Sequence, residues 1–119
     1  AGQYDEYYKK ALQTRRIIFD EFVETFKKYD IILCPTTPDT AFKFGTQVEE
    51  PLDMYKHDML TMPANIAGLP AITIPCGNDG NNLPIGLQMM SKQFAEDILI
   101  RTAYTFEQNT NFHKNRPVI

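Results

Sequence analysis

The stretch MYKHDMLTMPANIAGLPAITIPCG (residues 54–77) decides the fold, because it joins a predicted helix to a predicted strand. Asp53 suits the N-cap of a helix running from about Met54 to Met62. We expect this helix to kink or stop at Pro63 and to close at Gly68. The short apolar run AITIP that follows has the length of a strand.

Two further predicted strands flank this stretch. Upstream, DIILCPTTP contains four consecutive apolar residues, 31–34, that end at Pro35. Their lack of alternation favours a strand that is buried on both faces, as in a parallel or mixed sheet. Downstream, the turn-rich GNDGNNLP joins AITIP to IGLQMMS, which is typical of a hairpin.

Helical periodicity marks both ends of the chain. Near the start, one stripe recurs every three or four residues: Tyr4, Tyr8, Ala11, Arg15, Ile18, Phe22 and Phe26. Near the end, AEDILIRTAYTFEQN repeats at Ile98, Ala103 and Phe106. The predicted fold class is α/β, in the order α-β-α-β-β-α. Because three strands are too few to cover three such helices, we expect part of a larger sheet.

Composition excludes several classes of protein. The 119 residues carry a net charge of −3, which provides no overall basic field for nucleic acid. No apolar run approaches the roughly 20 residues that span a bilayer. The two cysteines, Cys34 and Cys76, are predicted to be free, buried thiols in a reducing compartment.

The sequence contains no recognisable set of catalytic residues. It lacks the Gly-x-Ser-x-Gly motif, and its single serine, Ser91, has no neighbouring base except Lys92. His57 is predicted to face solvent. Glu49, Glu50 and Asp53 form a loose acidic loop rather than a metal site. We therefore expect no catalytic residue, no metal ligand and no cofactor within these residues.

Asp58 is the residue that needs an explanation, because a carboxylate on an apolar face is costly unless it is paired. It is either a surface carboxylate, free or bonded to a nearby backbone N–H, or a pocket carboxylate that recognises a cationic group such as an ammonium. Periodicity alone leaves both interpretations open.

Five blocks of sequence connect the chain to a known family. YYKKALQTRRIIFDEF, PTTPDTAFKFG, PLDMYKHDMLTMPANIAGLPAITIPCG, LPIGLQ and the following MMSKQFAEDILIRTAYTFEQ occur in one order. From about Tyr4 to Gln108 the chain resembles the C-terminal part of the amidase signature enzymes. Within them it is most similar to the A-subunit family of glutamyl-tRNA(Gln) amidotransferases. The motifs N-x-x-G-x-P and P-x-G-x-Q occur across the wider family.

This resemblance implies a fold and an activity. The fold is the C-terminal portion of a mixed-sheet amidase-signature domain, with all 119 residues in one domain. The activity is hydrolysis of glutamine, whose ammonia serves to convert Glu-tRNA(Gln) to Gln-tRNA(Gln). The family's Ser–Ser–Lys arrangement belongs upstream of Ala1, so we expect this chain alone to be inactive.

The resemblance also implies partners and a binding site. B and C subunits complete a cytoplasmic complex in which the partner subunit uses ATP and Mg²⁺ and makes most of the tRNA contacts. In the matching tyrosine-x-x-aspartate stretch, here Tyr55 to Asp58, the aspartate binds the α-amino group of glutamine. Thr36 and Thr37 are candidate pocket-lining residues, although a purely structural strand end is an equal alternative.

Two rival functions remain at this point. A stand-alone amidase of the same family acts on small amides and has no need of an ammonium-binding carboxylate. A non-catalytic binding or assembly module is the other alternative, since no nucleophile is recognisable in the chain. In either case the long amphipathic helix requires a larger surface to pack against, or it exposes an apolar face.

Overall fold

The fold is α/β, as predicted, in a computed structural model that describes residues 2–45 and 51–116. Three strands form one sheet: β1 (Ile31–Pro35), β2 (Ala71–Asn78) and β3 (Pro84–Ser91). The helices are α1 (Gly2–Thr25), α2 (Pro51–Asp58), α3 (Met62–Ala67) and α4 (Glu96–Gln108), followed by a 3₁₀ turn at Phe112–Lys114. Within the described residues, we find no helix with the length and hydrophobicity of a membrane span.

The strand order is β1-β3-β2, with antiparallel pairing on both sides of β3. The β2–β3 hairpin is therefore confirmed. Parallel pairing next to β1 is not observed among the described residues, because β1 pairs with β3 in the opposite direction. Local sequence pattern reports burial and not the partner strand, so it did not identify this long-range pairing.

The burial expected for β1 is also not observed in this chain. β1 lies at one edge of the sheet, and Leu33 is 58% exposed. α4 covers one face of the sheet through a small core of four buried side chains: Ile74, Met89, Leu99 and Ala103. This core lies over β2 and β3 and leaves part of β1 uncovered.

The helix predicted over residues 54–62 is in fact two short helices. α2 begins at Pro51 and ends at Asp58, so Asp53 lies inside it rather than at its N-cap. α3 begins at Met62, with Pro63 in its first turn, where a missing N–H costs nothing. Gly68 closes α3 in the left-handed conformation, φ 66° and ψ 42°, as predicted.

α1 has the predicted helical stripe, and its two halves differ in environment. Ile18 and Phe22 are half-buried, as is Phe26 just after the helix, whereas Tyr4 and Tyr8 are exposed. Within the stripe, the Arg15 Nε–H donates to the carbonyl oxygen of Ile66 at 2.8 Å, at the end of α3. The helix is therefore anchored through its second half, and its first half has no apolar cover among the described residues.

Candidate functional site

Asp58 is the last residue of α2, and its carboxylate is exposed. Among the described residues, no donor lies within hydrogen-bond distance of its side chain. Of the two interpretations that periodicity left open, the observed exposure matches a surface carboxylate, and solvent reaches the charge. An exposed carboxylate without a protein partner remains available to a cationic ligand.

Tyr55 lies one helical turn before Asp58 and shares its face of α2. Tyr55 is 62% exposed. His57, predicted to face solvent, is instead half-buried, and its ring lies 5.5 Å from that of Phe42. The two candidate binding residues thus lie side by side, while His57 packs α2 against the loop that follows β1.

The turn after α2, residues 58–61, is held by three side-chain hydrogen bonds to its carbonyl groups. The Thr61 hydroxyl donates to Asp58 O at 3.1 Å, and Asn65 Nδ2 donates to Thr61 O at 3.0 Å. Gln88 Nε2 donates to Leu60 O at 2.8 Å. These bonds satisfy carbonyls that a helix end leaves without partners. Asn65 thus bonds the backbone at the start of α3.

Gln88 is a residue whose role the sequence did not indicate. It lies in the middle of β3, is only 3% exposed, and also donates to Cys34 Sγ at 3.1 Å. Its cross-strand neighbours are Cys34 and Thr73. Gln88 is the last residue of the P-x-G-x-Q motif, so a polar side chain inside an apolar strand was the available signal.

Gly86, in the same motif, brings β3 close to two threonines. Thr36 donates its backbone N–H to Gly86 O at 2.9 Å, and its Oγ1 lies 3.3 Å from Thr73 Oγ1. A Cβ at position 86 would lie 2.6 Å from Thr36 Oγ1. Only glycine allows this approach without displacing Thr36.

The two candidate threonines have different environments. Thr36 is half-buried and bonded as described, whereas Thr37 is exposed and donates its hydroxyl to Asp39 O at 2.7 Å. Thr37 also borders a pocket of about 350 Å³ between the segment after β1 and the hairpin loop. Asp58 is not among the residues that line this pocket. The structure therefore links Thr36 to the Asp58 turn only indirectly, through β3.

The hairpin loop that borders this pocket is organised by Asp79. Its Oδ2 accepts a hydrogen bond from the Thr40 hydroxyl at 2.6 Å, and its Oδ1 accepts from the N–H groups of Leu83 and Asn81, both at 2.8 Å. The Thr40 bond, followed by the Leu83 bond, lowers the pKa of the Asp79 carboxyl below its usual value. Asp79 thereby ties the segment after β1 to the hairpin.

The single serine has a structural role. Ser91 is fully buried, and its hydroxyl lies 3.2 Å from Ala95 O and 3.3 Å from Lys92 O. Cys34 and Cys76 are free but only half-buried, which corrects the prediction of buried thiols.

Residues 2–45 and 51–116 contain no group of three potential metal-ligating side chains. The acidic residues Glu49 and Glu50 lie outside the described part.

Comparison with known proteins identifies the family. A family model described as Amidase matches residues 1–100. The chain belongs to the amidase family. This confirms the resemblance carried by the N-x-x-G-x-P and P-x-G-x-Q motifs, which supply Asn65, Gly68, Gly86 and Gln88 to the geometry above.

Several individual proteins are similar to this chain. The A subunit of glutamyl-tRNA(Gln) amidotransferase of Desulforamulus reducens is 54% identical over all 119 residues, which span 24% of its length. The crystal structure of the corresponding Thermotoga maritima protein matches 80% of this chain and 21% of that one, with 48% identity and a TM-score of 0.72. A 6-aminohexanoate cyclic dimer hydrolase structure matches 95% of this chain and 24% of that one, with 25% identity and a TM-score of 0.62.

Proposed function

We propose that this chain is the C-terminal part of the glutaminase subunit of a tRNA-dependent amidotransferase. The main observation is Asp58, an exposed carboxylate without a partner among the described residues, placed at the end of α2 beside Tyr55. The identity of 54% to the A subunit of a glutamyl-tRNA(Gln) amidotransferase supports this choice over other amidases. Because the chain spans 24% of that relative, the activity belongs to the larger protein.

In this proposal Asp58 binds the α-ammonium group of glutamine, and Tyr55 lies beside it. Thr36 and Thr37 are candidate lining residues of the glutamine pocket of the complete protein. A carboxylate that meets an ammonium distinguishes free glutamine from an amide without the amino group, because only free glutamine forms the charge-assisted hydrogen bond. The nucleophile and its base come from outside residues 1–119, so the isolated chain is inactive. Released ammonia serves the amidation of Glu-tRNA(Gln).

The remaining components are assigned to partners. B and C subunits complete the enzyme in the cytoplasm, and the partner subunit binds ATP, Mg²⁺ and most of the tRNA. The net charge of −3 supports this division for tRNA, because the chain provides no overall basic field to attract a polyanion.

The test is steady-state glutaminase kinetics of Asp58→Asn in the complete amidotransferase. Loss of a charge-assisted hydrogen bond of about 1.5–3 kcal/mol raises the KM for glutamine by about 10- to 100-fold, with a smaller effect on kcat. The matched control is Asp97→Asn on α4, whose carboxylate pairs only with Arg101 among the described residues. The control should leave KM unchanged. An unchanged KM in Asp58→Asn contradicts the proposal.

A stand-alone amidase is the alternative favoured by the similarity to 6-aminohexanoate cyclic dimer hydrolase. The same variant separates the two functions. If the complete protein hydrolyses a neutral amide efficiently and Asp58→Asn does not alter that reaction, the amidase function replaces the glutaminase one.

A further inference from the structure

Gln88 is a buried polar side chain in the middle of β3, a position where packing alone would favour an apolar residue. An amide that is 3% exposed must find partners inside the protein. Its Nε2 has two, Cys34 Sγ at 3.1 Å and Leu60 O at 2.8 Å. Sulfur is a weak acceptor, so the bond to the Leu60 carbonyl is the stronger one.

That carbonyl belongs to the turn that carries Asp58. Of the three side chains that hold residues 58–61, Thr61 and Asn65 belong to the same local segment and fix only its internal shape. Gln88 lies on the sheet, 28 residues away from Leu60 in sequence. Among the hydrogen bonds of the described residues, this one joins the turn to β3 and so sets the position of Asp58 relative to the sheet.

We infer that Gln88 is a positioning residue for ammonium recognition by Asp58, acting through Leu60. The inference rests on the proposed function of Asp58. A loss of the Gln88 bond lets the end of α2 shift relative to the sheet, and misplacement of a binding group weakens the interaction that depends on it. Gln88 itself does not touch the substrate.

The first experiment uses Gln88→Met in the complete amidotransferase, because methionine has a similar length and no N–H. The KM for glutamine should rise by about three- to tenfold, the effect of one hydrogen bond, with a smaller change in kcat. The matched control, Gln108→Met, removes an exposed amide at the end of α4 and should leave KM unchanged.

The second experiment asks whether the effect passes through Asp58. In an Asp58→Asn background, Gln88→Met should have little further effect on KM, because the interaction that Gln88 positions is already lost. Hydrolysis of the glutamine analogue without an α-amino group should likewise respond less to Gln88→Met than glutamine hydrolysis does. A general loss of packing would instead affect both substrates and both backgrounds equally, and that result would overturn the inference.

Gln88→Glu keeps the test decisive if the methionine variant does not fold. A protonated carboxyl can donate to Leu60 O, whereas an ionised one cannot. The ratio of its glutamine KM to that of the wild type should therefore fall as the pH is lowered. A ratio that does not change with pH counts against the inference.

These experiments distinguish a failure of the proposed Asp58 function from a failure of the positioning role of Gln88. If Asp58→Asn leaves the glutamine KM unchanged, the proposed function fails. If Asp58→Asn raises KM but Gln88→Met has no effect, or has the same effect in both backgrounds, the proposed function stands and the positioning role of Gln88 is wrong.

Discussion

At Gly86, strand β3 passes close enough to two threonines that a side chain has no room. An ideal Cβ there would lie 2.6 Å from Thr36 Oγ1 and 3.1 Å from Thr73 Cγ2. Thr36 begins the segment after β1 that carries Thr37, so the strand and this segment approach closely only because residue 86 is glycine. The P-x-G-x-Q motif therefore has a packing explanation at its glycine and a hydrogen-bonding one at Gln88.

Gly86→Ala should lower the free energy of unfolding by about 1–3 kcal/mol, the usual cost of inserting a methyl group into a packed site. Chemical denaturation of the wild type and the variant measures this difference. Gly80→Ala is the matched control, since nothing lies within 4 Å of a Cβ at that position. Equal stability of the two variants would contradict the close approach described here.

Single residues also show what sequence alone can and cannot reveal. Gly68 was predictable, because helix closure depends on neighbours in the chain. Gln88 was not, because its partners are 28 and 54 residues away. Periodicity left open whether Asp58 lies at the surface or in a pocket, because an apolar neighbourhood in sequence does not fix the environment in space.

Among the elements, the hairpin and the two long helices followed from periodicity and turn residues. The pairing of β1 with β3 did not, because four apolar residues in a row indicate burial without specifying a partner. The split of the middle helix was likewise missed. Sequence pattern favours Pro63 as a stop, whereas it lies in the first turn of a new helix.

The hairpin loop gives a prediction that depends on pH. The bonds from Thr40 and Leu83 hold the pKa of Asp79 below its usual value, so folding favours the ionised carboxylate. The stability that Asp79 contributes is fully present above its unfolded pKa of about 4 and is lost as the pH falls through its lower folded pKa.

Denaturation of the wild type and Asp79→Asn across this range checks the prediction. The wild type should be the more stable protein at pH 6, and the difference should shrink steadily towards pH 2. Thr40→Val removes the largest cause of the lowered Asp79 pKa. In this background, Asp79→Asn should therefore lower the free energy of unfolding at pH 6 by less than it does in the wild type. A difference that stays constant from pH 6 to pH 2 would show that the charge of Asp79 does not matter.

The molecule as a whole is too flat to enclose a core of normal size. Its extents are 56 × 41 × 18 Å and its radius of gyration is 17.6 Å, against about 13.5 Å for a compact chain of this length. The accessible surface is 9481 Å², compared with roughly 6,600 Å² for a folded monomer of this mass. The excess of about 2,900 Å² exceeds one side of most stable interfaces. This surface supports the proposal that further protein covers the sheet edge and α1.

The 119-residue chain produced alone should therefore self-associate. We expect sedimentation of species heavier than 13.7 kDa and strong binding of an apolar dye. Ile17→Glu places a charge at an exposed apolar position of α1, where Ile17 is 60% exposed, and should reduce association. Gln13→Glu adds the same charge at an exposed polar position and is the matched control. A monodisperse monomer that does not bind the dye would contradict the account of the exposed faces.

The most direct test of the central claim is a crystal structure of the complete amidotransferase with glutamine bound. An oxygen of the Asp58 carboxylate should lie about 2.7–2.9 Å from the α-nitrogen of glutamine, the distance of a charge-assisted hydrogen bond. A glutamine molecule whose α-nitrogen is bound by other residues, with Asp58 out of contact, would contradict the assignment of Asp58 to substrate recognition.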